Sequence, residues 1–270
     1  MVLNDYIFQV IDVALKAGKE IMSIYDHPES DFEIEMKADN SPLTIADKKS
    51  NEIITNFLKT TDFPILSEED DLPSYEVRKQ WKIFWIVDPL DGTKEFIKRN
   101  GEFTVNIALA EKGVPIMGVI YVPAKQTLYW GVKGEGSYKI NNIRDVENIT
   151  YRELKQAALT LPYIQHTDSY IVVASRSHLS TETQRYIDEI KKVHPNMKID
   201  SAGSSIKICW VAEGMADIYP RFAPTMEWDT AAGHAIAIAA GANIFYANSE
   251  MPITYNKEDL HNPWFIVKRI

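Results

Sequence analysis

The chain has almost no cysteine. Its single cysteine, Cys209, lies within the apolar run at residues 206–211, which excludes an internal disulfide and a cysteine-based zinc site. Because no histidine is close to it in the sequence, Cys209 is expected to be a small buried side chain rather than a nucleophile. We expect a cytoplasmic protein, and peripheral attachment to the cytoplasmic face of the inner membrane stays open.

Long apolar runs and a surplus of basic charge are also missing. No uninterrupted apolar run approaches the ~20 residues of a membrane span, and residues 1–5 lack the basic start of a signal peptide. The 38 Asp and Glu residues outnumber the 29 Lys and Arg residues, for a formal net charge of −9. This balance argues against nucleic acid as a partner, but a small anionic substrate is still compatible, because bound cations reverse the local field.

The first half of the chain predicts two helices followed by an antiparallel meander. Apolar residues at helical spacing predict a helix that ends before His27, and a second helix from Ser41 or Thr44 to about Leu58. Short β-rich segments separated by turn residues follow. The predicted strands are residues 63–66, 83–87, 104–110, 115–122 and 127–130.

The second half predicts alternating strands and helices, which is typical of an α/β fold. The predicted strands are residues 170–174, 197–200, 216–219, 243–246 and 264–268, and the predicted helices are residues 180–193, 204–213 and 229–240. A polar segment at residues 141–157 separates the two patterns. We therefore predict an α+β domain at residues 1–150 and an α/β domain at residues 151–270, since 270 residues suffice for two domains of ordinary size.

Three acidic clusters lie far apart in the sequence. Residues 88–93 read Asp-Pro-Leu-Asp-Gly-Thr after an apolar strand, residues 67–70 read Ser-Glu-Glu-Asp, and residues 227–229 read Glu-Trp-Asp. Each cluster alone also has a structural explanation, as a turn, a solvated charge run or a helix cap. Together they offer only oxygen donors, which Mg²⁺ prefers, and so favour one metal-assisted phosphate-transfer site.

Thr44 and Asp47 have the spacing of a capping box, which is a sufficient structural explanation for both. A second role is open to them. If Asp47 also reaches Thr93, the pair would hold a water molecule, and Thr93 would pass its proton to Asp47 as general base.

Two longer motifs carry a resemblance to a known family. Residues 85–96 read WIVDPLDGTKEF and residues 227–234 read EWDTAAGH. These motifs resemble those of the inositol monophosphatase superfamily, and the similarity covers essentially the whole chain. Within the superfamily, YPRF at residues 219–222 is similar to a motif of the bacterial 3′(2′),5′-bisphosphate nucleotidases.

The resemblance implies a layered αβαβα sandwich of the inositol monophosphatase and fructose-1,6-bisphosphatase type, with the site in the cleft between its two halves. It implies a Mg²⁺-dependent phosphoric monoester hydrolase that removes the 3′-phosphate of adenosine 3′,5′-bisphosphate, giving AMP and phosphate, in support of sulfur assimilation. Two or three Mg²⁺ ions, inhibition by Li⁺ and no covalent phosphoenzyme are expected. The sulfated analogue 3′-phosphoadenosine 5′-phosphosulfate and the oligomeric state stay open.

The resemblance also implies roles for individual residues. Asp47 and Thr93 would activate water. The implied Mg²⁺ ligands are Glu68, Asp88, the Leu90 carbonyl oxygen, Asp91 and Asp229. The expected substrate contacts are Gly92, Thr93, Ser204, Lys207, Arg221 and Asp229, of which Ser204, Lys207 and Arg221 would bind the 5′-phosphate. His178 is added from its sequence position alone, just after a predicted strand end, and would face the nucleoside.

The anion contacts have independent support. Ser204 and Lys207 lie three apart at the start of a predicted helix, where an anion is attracted, and Arg221 offers a planar fork for phosphate oxygens. The alternative is that Ser204 only caps the helix and Lys207 is a surface residue. His234 is expected to be packed rather than to ligate a metal. Two rival functions are kept: a phosphatase for inositol phosphates or fructose 1,6-bisphosphate, and a non-catalytic metal or nucleotide binding module.

Overall fold

The computed structural model describes residues 3–27, 34–36, 42–164, 169–175 and 180–270, and these residues form both helices and strands. The helices of these residues are α1 (Leu3–Tyr25), α2 (Ile45–Leu58), α3 (Tyr75–Arg78), α4 (Thr93–Ile97), α5 (Tyr151–Ala157), α6 (Thr181–Val193), α7 (Ile206–Glu213) and α8 (Glu227–Ala239). The strands are β1 (Glu35–Met36), β2 (Pro42–Leu43), β3 (Ile65–Ser67), β4 (Ile83–Asp91), β5 (Thr104–Glu111), β6 (Val114–Val122), β7 (Thr127–Val132), β8 (Gly136–Ile140), β9 (Leu159–Leu161), β10 (Ile171–Ser175), β11 (Lys198–Ala202), β12 (Ile218–Arg221), β13 (Ala242–Tyr246) and β14 (Phe265–Arg269).

The larger sheet has seven strands in the order β3-β4-β5-β6-β7-β8-β9. β3 runs parallel to β4, and every later neighbour pairs antiparallel, as the predicted meander requires. Strands β8 and β9 were not predicted, and α5 lies where the sequence predicted only a polar boundary. The division after residue 150 stays a prediction, and β9, which follows it, pairs with β8 in this sheet.

The two faces of this sheet pack against different helices. On one face, large residues such as Trp85 and Val119 pack against α1 and α2. On the other face, small residues such as Ala108 and Gly118 face α8, whose own contact surface is rich in alanine. Because successive side chains on a strand point to opposite faces, Trp85 and Ile86 of β4 belong to different packing layers.

Helix α8 lies very close to the sheet. A Cβ atom on Gly118 of β6 would lie 2.3 Å from the carbonyl oxygen of Ala232, and one on Gly131 of β7 would lie 2.8 Å from Cα of Ile236. Only glycine fits at such distances. This close packing sets the position of the first turn of α8, which carries Asp229.

The smaller sheet has five strands in the order β11-β10-β12-β14-β13, with β10 parallel to β11 and β12, and β14 antiparallel to β12 and β13. One face packs on α7 and α8, and the other packs on α6 through residues such as Val172 and Ile187. The layers are therefore α, β, α, β and α, which confirms the predicted sandwich. Within the described ranges, no helix is long and apolar enough to cross a membrane.

Candidate active site

The acidic end of β4 is a bulged strand. The sequence predicted that the strand stops at Val87 and a turn follows, but β4 continues to Asp91. Asp88 lies opposite Asn106 and Asp91 opposite Thr104, with a register shift between the two pairs. One extra residue on β4 produces this shift, and such bulges bend a strand and re-aim its side chains. The turn begins only at Gly92, whose φ of 95° is left-handed and favours glycine.

Three carboxylates from separate parts of the chain meet at this bulge. Glu68, Asp88 and Asp229 each offer an oxygen, and these oxygens lie within 4.8 Å of one another. Glu68 reaches the group because it continues the parallel pairing of β3 with β4, and its N–H donates to the Val87 carbonyl at 3.1 Å. Asp229 reaches it from the first turn of α8. The structure therefore brings together carboxylates that the sequence separates by more than 150 residues.

Asp88, Asp91 and Asp229 each have one carboxylate oxygen that accepts a hydrogen bond, and this bond orients the side chain. Asp88 Oδ1 accepts from the Leu90 N–H at 3.1 Å, and Asp229 Oδ2 accepts from the Met226 N–H at 2.9 Å. Asp91 Oδ2 accepts from the N–H of Ser205 at 2.7 Å and from its hydroxyl at 2.8 Å. The second oxygen of each carboxylate is thus turned in a fixed direction.

The carboxylates repel one another in the absence of a cation. Removal from water raises the pKa of Asp88 well above its usual value, and the charges of Glu68, Asp91 and Asp229 raise it further. The same two causes raise the pKa of Asp229. Burial also raises the pKa of Asp91, while Lys207 and the Ser205 hydrogen bonds oppose that rise. A set of oxygen donors whose negative charge is only partly compensated fits a hard divalent cation.

This repulsion predicts a pH dependence for the metal-free protein. Because the pKa values of Asp88 and Asp229 are higher in the folded state than the ordinary 3.8, the folded state binds more protons than the unfolded state at any pH between the ordinary and the raised pKa. The free energy of unfolding should therefore decrease as the pH rises above about 3.8, by about 1.4 kcal/mol per pH unit for each carboxyl that holds its proton only in the folded state. Urea unfolding in a chelator at several pH values measures it.

Matched variants identify which carboxyl groups cause this dependence of the unfolding free energy on pH. Asp88→Asn removes one of these carboxyls, so its unfolding free energy should depend less on pH than that of the parent. Asp188→Asn, at an exposed position of α6, should keep the parent slope. Equal slopes for the parent and Asp88→Asn would contradict the repulsion.

Asp47 and Thr93 are in direct contact. The Thr93 hydroxyl donates to Asp47 Oδ1 at 3.0 Å and lies 3.3 Å from the Leu90 carbonyl oxygen. The other oxygen of Asp47 accepts from the Thr44 N–H at 2.7 Å and from the Thr44 hydroxyl at 2.6 Å. The capping box is therefore present, and it holds Asp47 in the orientation that meets Thr93.

A second group of residues carries positive charge. The Lys207 ammonium donates to the carbonyl oxygens of Ala202 and Ser204 and lies 5.3 Å from the centre of the Tyr219 ring. Burial lowers the pKa of Lys207 to about 8. The alternative that Lys207 is a surface residue is wrong, because its side chain is buried.

Two buried polar atoms near Lys207 lack partners. Ser204 Oγ and Arg221 Nε make no hydrogen bond with any residue the structure describes. Ser204 was predicted to begin the helix, but α7 begins at Ile206 and Ser204 has a left-handed φ of 44°. Buried donors without partners are uncommon in folded proteins, so these atoms indicate space for an anion.

Both groups line a single cleft of about 270 Å³. Its walls come from the end of β4, the segment before α7, strand β12 and the first turn of α8. Among the predicted site residues, those that line it are Glu68, Asp91, Gly92, Thr93, Ser204, Lys207, Arg221 and Asp229. His178 lies outside the described residues. His234 is packed, as expected: it is buried, its ring nitrogens lie 3.0 Å from the Tyr255 hydroxyl and 2.5 Å from Asn243 Oδ1, and burial lowers its pKa to about 4.

Sequence reasoning missed the residues that orient the acids. The Ser205 hydroxyl lies 2.8 Å from Asp91 Oδ2 and 2.7 Å from the Asp229 carbonyl oxygen, so it joins two acidic segments. Asn106 of β5 donates to the same hydroxyl at 2.9 Å. The serine pair before α7 was a visible signal for a cap, but the sequence does not reveal which serine faces the acids.

A family model described as the inositol monophosphatase family matches residues 3–264 of the chain. The chain is 45% identical over 262 residues to the 3′(2′),5′-bisphosphate nucleotidase CysQ of Shigella flexneri, covering 96% of this chain and 98% of that relative. It is 43% identical over 261 residues to the protein of the same name from Salmonella typhimurium, with the same coverage.

Solved structures agree on the fold. The crystal structure of CysQ from Bacteroides thetaiotaomicron, described as a bacterial member of the inositol monophosphatase family, superposes with a TM-score of 0.93 at 57% identity, covering 99% of this chain and 98% of that one. The extragenic suppressor protein suhB from Bartonella henselae superposes with a TM-score of 0.70 at 23% identity, covering 98% and 94% of the two chains. The second likeness concerns the fold alone.

Proposed function

The chain belongs to the inositol monophosphatase family, and we propose that it is a phosphatase that removes the 3′-phosphate of adenosine 3′,5′-bisphosphate, leaving AMP and phosphate. The observation that carries the proposal is one cleft lined both by members of the acid cluster, which consists of Glu68, Asp88, Asp91 and Asp229, and by a cationic pair (Lys207 and Arg221), with donors at Ser204 Oγ and Arg221 Nε that are unpartnered among the described residues. A nucleoside bisphosphate has one phosphate for each. The names of the nucleotidase relatives support the same substrate class.

Mg²⁺ is the cation that we propose for the acid cluster, with two or three ions bound. Its ligands would be carboxylate oxygens and one carbonyl oxygen, a donor set typical of this hard ion. When bound, Mg²⁺ polarises the phosphoryl oxygens, lowers the pKa of water and stabilises the leaving oxygen. The proposed ligands are Glu68, Asp88, the Leu90 carbonyl, Asp91 and Asp229.

Thr93 and Asp47 would orient and deprotonate the attacking water. Because the Thr93 hydroxyl donates to Asp47 at 3.0 Å, its oxygen lone pairs are available to a hydrogen of the water. As the water attacks phosphorus, its proton passes to Thr93 Oγ, and the Thr93 proton passes to Asp47. The two hydrogen bonds from Thr44 keep the carboxylate in place as this happens.

The cationic pair would bind the phosphate that stays on the nucleotide. Ser204 Oγ and Arg221 Nε are unpartnered buried donors within the described part of the chain, and Lys207 adds charge beside them. The N–H groups of Gly92 and Thr93 would face the phosphate that is removed. His178 would face the nucleoside.

Loss of the cationic pair should change substrate preference. Arg221→Ala and Lys207→Ala are expected to lower kcat/KM for adenosine 3′,5′-bisphosphate by about tenfold to a hundredfold, because a charged hydrogen bond to a buried anion is lost. Adenosine 3′-monophosphate has no second phosphate, so its kcat/KM should change little. Steady-state phosphate release measures both, and equal losses on the two substrates would reject the nucleotide assignment.

One assay distinguishes the proposed function from its rivals. Phosphate release with Mg²⁺ is measured side by side for adenosine 3′,5′-bisphosphate, its 5′-phosphosulfate analogue, AMP, inositol 1-phosphate and fructose 1,6-bisphosphate. The proposal requires the highest kcat/KM on one of the two substrates with a 3′-phosphate and a 5′ anion. Preference for inositol 1-phosphate or fructose 1,6-bisphosphate would favour a sugar-phosphate phosphatase, and no release from any substrate would favour a binding module.

A further inference from the structure

The segment that carries Ser204 has an unusual backbone. This segment, residues 202–205, joins β11 to α7 and is here called the anion turn. Ser204 has a φ of 44°, a left-handed conformation that non-glycine residues seldom adopt. Such a conformation persists only when the surrounding structure holds it. A contact that fixes the anion turn would therefore also fix the Ser204 hydroxyl in the cleft.

Glu102 supplies such a contact from the other half of the molecule. It lies between α4 and β5, its side chain is buried, and its Oε2 accepts from the Gly203 N–H at 2.8 Å. Its own backbone is held by a hydrogen bond from the Glu102 N–H to Asn100 Oδ1 at 2.9 Å. A charged acceptor on a buried N–H is a strong restraint.

The backbone carbonyl oxygen of Glu102 also lies against two glycines of the site, Gly203 and Gly92. A Cβ atom on Gly203 would lie 2.8 Å from the Glu102 carbonyl oxygen, and one on Gly92 would lie 3.0 Å from the same oxygen. The same Cβ atom on Gly92 would lie 3.4 Å from Cβ of Ser204. The Glu102 carbonyl oxygen therefore lies at contact distance from both Gly92, in the turn after the acid cluster, and Gly203, in the anion turn.

We propose that Glu102 is a positioning residue that holds the anion turn at its distance from the acid cluster, because its carboxylate accepts a hydrogen bond from the Gly203 N–H while its backbone carbonyl oxygen packs against Gly92. This inference rests on the proposed function, because it concerns the second phosphate of the substrate. Glu102 does not line the cleft, so it acts through the anion turn and not by touching the substrate. Its effect is confined to substrates that occupy both sites.

The test compares a bisphosphate with a monophosphate. For Glu102→Ala, kcat/KM on adenosine 3′,5′-bisphosphate should fall about tenfold, mainly through KM, because the Gly203 N–H loses its buried acceptor. On adenosine 3′-monophosphate it should stay within about twofold, since that substrate needs only the acid cluster. Glu102→Gln should recover most of the loss, because its amide oxygen can accept the same N–H.

Two further variants complete the design. Glu153→Ala also removes a carboxylate that accepts a backbone N–H, that of Thr150 at 2.8 Å, but it lies outside the cleft and should leave both substrates unaffected. Gly203→Ala keeps the charge and inserts a methyl group against Glu102, so it should reproduce the selective KM increase even if Glu102→Ala does not fold.

The outcomes separate the inference from the function on which it rests. A parent enzyme that shows no preference for the bisphosphate overturns the proposed function. A parent preference that is retained in both Glu102→Ala and Gly203→Ala overturns the positioning role alone. Equal losses on the two substrates in these variants likewise overturn it, because a general loss of structure would affect both. A selective loss in the two variants with recovery in Glu102→Gln supports it.

Discussion

Replacement of Asp88 by asparagine is expected to lower kcat/KM at least about a thousandfold, which corresponds to about 4 kcal/mol of lost transition-state stabilisation. Asp88 belongs to the acid cluster and is 2% exposed. Asparagine has the same size, and its oxygen can still accept from the Leu90 N–H, so the bulge in β4 should keep its shape. The variant loses the negative charge that would bind the cation.

The assay for this variant is phosphate release at saturating Mg²⁺, together with the Mg²⁺ dependence of the melting temperature. Asp88→Asn should show little stabilisation by Mg²⁺, because ligand binding stabilises a fold only as far as the ligand binds it. Asp71→Asn is the control: Asp71 belongs to the same acidic run as Glu68 but is exposed. Turnover of Asp88→Asn within tenfold of the parent would contradict a metal site at the bulge.

Most of the central fold was predictable because the main sheets are buried on both faces. Strands such as β4 and β6 are nearly continuous apolar runs, and burial on both faces produces that pattern. Two of the missed elements are β9, at the edge of the larger sheet, and α5, which precedes it. β9 has only one buried residue, and Leu154 is the one buried residue of α5, so neither element leaves a periodic apolar signal.

The chemical content of the site was predictable, but its geometry was not. The acids were visible as motifs because a metal site needs oxygen donors. The meeting of Glu68 with Asp88 depends on the parallel pairing of β3 and β4, and that of Asp229 depends on α8 packing against Gly118 and its neighbours. Such long-range contacts leave no local pattern in the sequence.

The bulge in β4 is a particular case of this limit. Asp, Pro and Gly at residues 88–92 are ordinary turn residues, so a turn was the natural prediction. Pairing with β5 keeps the backbone in the sheet as far as Asp91. The tertiary partner overrides the local preference, as it also does at Ser204, whose neighbour Ser205 bonds Asp91.

The second large effect is expected at Asp47. Asp47→Asn should lower kcat by about a hundredfold to ten-thousandfold, the usual contribution of a general base. An asparagine oxygen facing Thr44 can keep the two hydrogen bonds of the capping box, which places the amide NH₂ toward Thr93. The NH₂ group cannot accept the Thr93 proton, so the water would lose its route for deprotonation while the fold and the acid cluster remain.

The capping function and the catalytic function of Asp47 can be separated because the chain contains a second capping box. Thr150 and Glu153 make the same pair of hydrogen bonds at the start of α5, and Glu153 is exposed. Glu153→Gln should therefore cost little stability and leave kcat unchanged, because glutamine can also serve in a capping box. Asp47→Asn should match it in stability and in stabilisation by Mg²⁺ but not in turnover. A kcat for Asp47→Asn close to that of Glu153→Gln would show that the carboxylate only caps α2, and the proton would then need another acceptor.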